Sequence, residues 1–164
     1  MRLMIALDPT DREILRLLQE NARLSNAEIA RRVGMAASAV HQRVRKLEER
    51  GVVRGYGSRL NARALGYGLV AFVMVQTGNN SSEYDTGALI AALPEVQEVH
   101  RVVGEDCFIV KVRVRDTDEL AELLEHRLQR IPSIVSTRTT IVVKTIKESA
   151  ELPLSEPDEL ADAG

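Results

Sequence analysis

Apolar residues recur at helical spacing through the first fifty positions of the chain and at strand spacing from Leu69 onward. Asp8-Pro9 has the form of a helix N-cap followed by proline at the first helical position, where the missing N–H costs nothing. Ile14, Leu17 and Leu18 fall at i, i+3 and i+4, which predicts an amphipathic helix to about Asn21. Ser25 and Glu28 stand at capping-box spacing and open a short helix buried through Ile29, Ala30 and Val33, with Gly34 as its left-handed stop. After the turn GMAA a third helix is expected from about Ser38 to Arg50, with Val40, Val44 and Leu47 facing inward and Gly51 ending it. GVVRGYGSRLN, from Gly51 to Asn61, alternates glycines with Val, Tyr and Leu, and fits two short strands of a wing or one strand leading out of the helical unit.

NARALGYG, residues 61–68, reads as a linker. LVAFVMVQT is then apolar at successive positions, as in a strand covered on both faces. A helix opening at Ser82 or Glu83 runs through Leu89, Ile90 and Leu93 to Pro94. VQEVHRVV and CFIVKVRVR flank Gly104-Glu105-Asp106 as a hairpin. Asp116 with Glu119 caps a helix carrying Leu120, Leu123, Leu124 and Leu128, stopped by Pro132, and IVSTRTTIVVKTI forms the last strand. The order is β-α-β-β-α-β, the ferredoxin-like arrangement. The fold class is therefore α+β: helix-turn-helix over residues 1–60, linker 61–68, ferredoxin-like domain 69–147, and an acidic tail 148–164, which is expected to be disordered and without a packing role.

Two helices cover one face of a four-stranded sheet, so the other face, apolar through Val70, Phe72 and Met74 or their alternates, needs a partner. A second copy about a two-fold axis is the economical one, which predicts a homodimer held by the C-terminal domain. Composition sharpens this picture where charge and cysteine enter. Residues 1–60 hold 12 Lys/Arg against 7 Asp/Glu, a net +5, whereas the remainder holds 10 against 17, a net −7. A basic front half joined to an acidic back half points to nucleic-acid contact at one end. A single cysteine excludes an internal disulfide, and His41, His100 and His126 show no metal-ligand spacing. No apolar run reaches the length of a membrane span, and MRLMIALDPTD is too soon polar for a signal peptide, so a soluble, cytoplasmic protein is expected, with Met4 an alternative start.

Three helices with a glycine-containing turn between the second and third fit a helix-turn-helix, whose last helix enters the major groove of double-stranded DNA by its N-terminal end. Ser38, His41 and Gln42 suit base edges there. Arg43, Arg45 and Lys46 suit phosphates, and Arg54 and Arg59, expected on the following hairpin, add backbone contacts. An ordinary solvated basic helix would show the same spacing.

The combination of pieces is more specific than any one of them. Leu7-Asp8, Asp11, Ile14-Leu15, the S-x-x-E-I-A box, Gly34, Arg43-Val44-x-x-Leu47-Glu48 and Gly51-Val52 closely resemble the N-terminal domain of Lrp/AsnC (feast/famine) transcription regulators. IVSTRTTIVVKTIKES is similar to the end of that family's ligand-binding domain, called the RAM domain, so the resemblance spans roughly residues 7–147. It implies a DNA-binding regulator without cofactor or metal, whose dimers assemble further, often into octamers, and bind a small effector, usually an amino acid, between dimers. It also implies two DNA half-sites about one helical turn apart. Two departures stand out. Met35 is followed by Ala36 and Ala37 where relatives often have a side-chain cap, and relatives often carry Gly-Asp-x-Asp plus an aromatic where this chain has Gly104-Glu105-Asp106-Cys107-Phe108.

By position, the resemblance places the effector at Val103, Gly104, Glu105, Asp106 and Cys107, with Thr137 and Thr139 on the last strand and His100 on the preceding one. Glu105 or Asp106 suits an ammonium group, and turn N–H groups near Gly104 suit a carboxylate. Two other classes compete. An enzyme with Cys107 as nucleophile lacks any Cys/His signature, and an architectural DNA-coating protein would need no effector. Thiol sensing is disfavoured by the two acids beside Cys107, which raise a thiol pKa.

Overall fold

A computed structural model describes residues 5–78 and 83–154. Helix α1 (Pro9–Glu20) begins as expected at Asp8, whose carboxylate accepts from the Asp11 amide at 2.7 Å. Helix α2 (Asn26–Val33) carries the complete capping box: the Ser25 amide donates to Glu28 at 2.7 Å and the Glu28 amide to the Ser25 hydroxyl at 3.2 Å. The Ser25 amide, and after it the Ser25 hydroxyl, donate to the Glu28 carboxylate and hold it below its ordinary pKa. Gly34 takes the left-handed conformation at φ +69°, and α3 (Ala37–Glu49) follows. Ile14, Leu17, Ile29, Val40 and Leu47 close the core of this unit, each no more than 2% exposed.

Residues 51–68 form no strand, so neither the wing pair nor a strand leading out is present. Three glycines within residues 51–57 leave too few side chains to pair across a hairpin. The segment instead folds back on α3: the Val52 amide donates to the Leu47 carbonyl at 2.8 Å, and the Tyr56 hydroxyl to Glu48 at 2.8 Å.

The expectation of an unpacked tail also fails over its described part. The chain divides into two compact units, and Ser149–Leu154 belongs to the same one as residues up to Arg59. Leu154 lies half-buried against the helical core, and the Leu152 backbone is bonded to the Gln19 side chain. Composition missed this because one leucine and one side-chain amide suffice to dock an extended segment. The division between the units falls at Arg59/Leu60, and residues 62–66 turn, with the Asn61 side chain accepting from the Ala64 amide at 3.1 Å.

The second unit, Leu60–Glu148, is the β-α-β-β-α-β arrangement. Strands β1 (Leu69–Thr77), β2 (Val96–Arg101), β3 (Phe108–Val114) and β4 (Ile134–Ile141) lie in the order β2-β3-β1-β4, each pair antiparallel. Helix α4 (Glu83–Ala91) ends before Pro94 as expected; Ser82, the other expected start, lies outside the described residues. Helix α5 (Thr117–Glu122), capped by Asp116, widens into a π-helical run over Leu123–Leu128 where a continuous α-helix was expected. The wider turn brings Leu123 and Leu128, five apart, onto one face, and both are buried.

Alternation along the strands puts Ala71, Val73, Val75, Phe108, Val110, Val112 and Val114 on the helix-covered face, all buried. The opposite face is less apolar than expected. Val70, Phe72, Met74 and Ile109 share it with Lys111 and Arg113. Lys111 pairs with Glu148 and, at 3.1 Å, with Glu98, and Arg113 reaches Glu148 at 3.2 Å. Glu148 raises the Lys111 pKa, and Lys111 lowers that of Glu148, so both charges persist at neutral pH.

Candidate DNA interface and effector site

Helix α3 starts without a side-chain cap. Ala36 occupies the N-cap with φ −71° and ψ 144°, and Ser38 lies inside the helix, so it does not substitute. The Ala36 backbone already has the cap conformation that serine favours. Ala36→Ser is therefore expected to stabilise the helical unit by roughly 1 kcal/mol, read as a higher midpoint in thermal unfolding.

Beyond that start, Ser38, His41, Gln42, Arg45 and Lys46 form an exposed strip. The side chains of Ser38, Gln42 and Lys46 have no hydrogen-bond or ion-pair partner among the described residues, and neither does Arg54. The Asn26 amide nitrogen lies 3.1 Å from His41 Nδ1, which ties the start of α2 to α3. Arg45 pairs with Glu49 one turn on, at 2.8 Å, and Arg59 with Glu151 at 2.8 Å. Arg43 is set apart from the strip. Its guanidinium reaches Asp8 at 2.6 Å and Asp11 at 2.8 Å, so it braces α3 against the first turn of α1. The Arg43 hydrogen bond, followed by the Asp11 amide, lowers the Asp8 pKa.

In the second unit the turn after β2 spans residues 102–107, longer than the three-residue turn expected, and is closed by the Val102 amide donating to the Cys107 carbonyl at 3.0 Å. Gln76 fixes its position, donating to the Glu105 carbonyl at 3.0 Å while accepting from the Ser136 hydroxyl at 2.8 Å. Asp106 then faces Arg138 of β4 at 2.8 Å. Val103 and Glu105 are exposed, and Gly104 takes φ +153°.

Strand register separates the remaining sequence candidates. Thr137 pairs with Val75 and Thr139 with Val73, so both lie on the helix-covered face. Ser136 and Arg138, opposite Gln76 and Met74, lie on the other face. His100 is exposed, 3.2 Å from Glu98 through Nε2. Gln76 and Arg138 bond to the turn and Ser136 bonds to Gln76, and the one signal of this in the sequence is an isolated arginine in the run STRTT. Cys107 also departs from the expectation of a raised thiol pKa. The Thr77 hydroxyl donates to its sulfur at 3.2 Å and lowers the thiol pKa, outweighing the opposing effect of Asp106.

A helix-turn-helix unit and a ferredoxin-like sheet unit in one chain define a DNA-binding regulator with a ligand-binding domain. Residues 7–54 match the winged helix-turn-helix DNA-binding family, and residues 70–152 match the Lrp/AsnC ligand binding domain. The chain is 34% identical to the HTH-type transcriptional regulator FL11 of Pyrococcus horikoshii, over 92% of this chain and 98% of that one. It is 35% identical to the leucine-responsive regulatory protein of Escherichia coli, over 89% and 90%. Among solved structures it resembles AsnC of E. coli, with a TM-score of 0.85 and 30% identity over 91% of this chain and 100% of that one. A Neisseria meningitidis transcriptional regulator in complex with L-Met superposes with a TM-score of 0.86 and 30% identity, over 91% and 97%. The chain belongs to the Lrp/AsnC family of transcription regulators, whose members are DNA-binding proteins rather than enzymes. Among the described residues no helix is long and apolar enough to cross a membrane.

Proposed function

We propose that α3 reads operator sequence through Ser38, His41 and Gln42, with Arg45, Lys46, Arg54 and Arg59 on phosphates, and that Arg43 serves by holding α3 to α1. The exposed, unpartnered side chains of Ser38, Gln42 and Lys46 support this division. Gln42→Ala is expected to relax base preference, whereas Lys46→Ala weakens binding to all sequences and lowers the salt slope by about one. Selection of binding sites from random DNA, followed by salt titrations, measures both.

The effector in this reading is a free α-amino acid, with Asp106 accepting from its ammonium and Arg138 donating to its carboxylate. The 2.8 Å pairing of these opposite charges at an open end of the sheet carries the proposal. The neighbour solved with L-Met supports the ligand class. Gly104, Glu105, Val103 and Cys107, the neighbours of Asp106 in the turn, complete the site in this reading. Asp106 is mostly covered but Arg138 is two-thirds exposed, and a pair open on that side gains little in water, so in this reading a second dimer closes over the ligand. In this reading dimers form through the open sheet face around Phe72 and Met74, and assemble further, to an octamer. A thermal-shift screen of the twenty amino acids tests the effector: a ligand at a hundred times its Kd adds about 2.7 kcal/mol of stability. No shift with any of them overturns the effector reading and favours an architectural role.

A further inference from the structure

Gln19 at the end of α1 treats the C-terminal segment as a strand would. Its side-chain amide donates to the Leu152 carbonyl at 3.1 Å, and its side-chain oxygen accepts from the Leu152 amide at 2.8 Å. Leu154 seats on the helical core two residues later, and Glu151 pairs with Arg59 at 2.8 Å on the other side of the anchor. The segment Glu151–Leu154 is thus held by one backbone clamp and one apolar contact, and it presents a carboxylate to a guanidinium assigned above to DNA phosphate. The ten residues that follow in sequence contain Glu156, Asp158, Glu159 and Asp162 and no Lys or Arg, so nothing in them offsets Glu151.

We propose that Glu151–Leu154 is an internal competitor of DNA: docked on α1, Glu151 occupies Arg59, and phosphate must displace it for Arg59 to contribute to binding. The Gln19 clamp supplies the effective concentration that lets a solvent-exposed carboxylate compete at all. The competition costs affinity chiefly at low salt, since both the pair and the phosphate contact are screened by added ions. This proposal rests on the assignment of Arg59 to DNA contact.

The test uses the full chain and a random-sequence 40-base-pair duplex, titrated at several salt concentrations. Glu151→Gln is expected to bind about two- to fivefold tighter than wild type at roughly 0.05 M salt, with the gain fading as salt rises. Gln19→Ala changes no charge and is expected to tighten binding in the same direction, because it releases the clamp. In an Arg59→Ala background neither substitution should have any effect. Unchanged affinity in either variant, or a gain that persists without Arg59, overturns the proposal. Wild-type affinity in Arg59→Ala alone removes Arg59 from the interface and so overturns the assignment beneath it, a result distinct from a weakened Arg59→Ala with no gain elsewhere.

Discussion

Leu47→Ala is expected to destabilise the helical unit by about 2–5 kcal/mol and to abolish DNA binding near physiological temperature. Leu47 is 2% exposed and lies among Ile14, Leu17, Ile29, Val40 and Val44, where α3 meets the other two helices. A core of that size has few neighbours able to collapse into the vacancy, and small units have little stability to lose. The recognition helix depends on this contact doubly, because its uncapped start at Ala36 adds nothing of its own. The sheet unit has a separate core, built from Val73, Val75, Val110, Val112 and Leu128. Calorimetry of the variant should therefore show one transition lowered and the other in place, and a ligand-induced shift should survive on the second. A single transition moving as a whole would mean that the two units unfold together.

Arg138→Ala is expected to weaken amino-acid binding by roughly 10- to 100-fold, the equivalent of one hydrogen bond to a charged group. Arg138→Lys should restore part of it, because an ammonium keeps the charge but loses the paired donors of the guanidinium. The side chain is exposed and its covered-face neighbours Thr137 and Thr139 are untouched, so stability without ligand should change little. Isothermal titration with the amino acid selected by the thermal screen measures the loss. Affinity unchanged in the alanine variant would remove Arg138 from the site, whereas Thr139→Val is expected to leave binding as it is.

The helical unit was legible almost to the residue. The Asp8-Pro9 start, the Ser25/Glu28 box and the glycine stops at Gly34 and Gly51 act over a few neighbouring residues, so local spacing determines them. No wing forms over Gly51–Asn61, because its alternation runs through glycines that have no side chain to pair. Arg43 could not be assigned from spacing, because its partners Asp8 and Asp11 lie more than thirty positions away and a helical wheel shows only which side it leaves by. Cys107 shows the same limit in its chemistry. Adjacent acids were visible in the sequence, but the Thr77 hydroxyl thirty residues earlier governs the thiol.

By itself the sequence determined the order of elements, the two units and the family, and it offered the turn Gly104-Glu105-Asp106 as a candidate for ligand chemistry. Each of these depends on periodicity, capping or short motifs, and so on residues near one another in the chain. Tertiary structure decided which alternate residues of β4 share a face with that turn, and so put Arg138 rather than Thr137 or Thr139 beside Asp106. It also decided that Leu152 and Leu154 dock on the helical unit. A strand's alternation shows that two faces exist, but only pairing register against β1 shows which residues meet across them. A docked extended segment has no period to read, because one clamp and one leucine are enough to hold it.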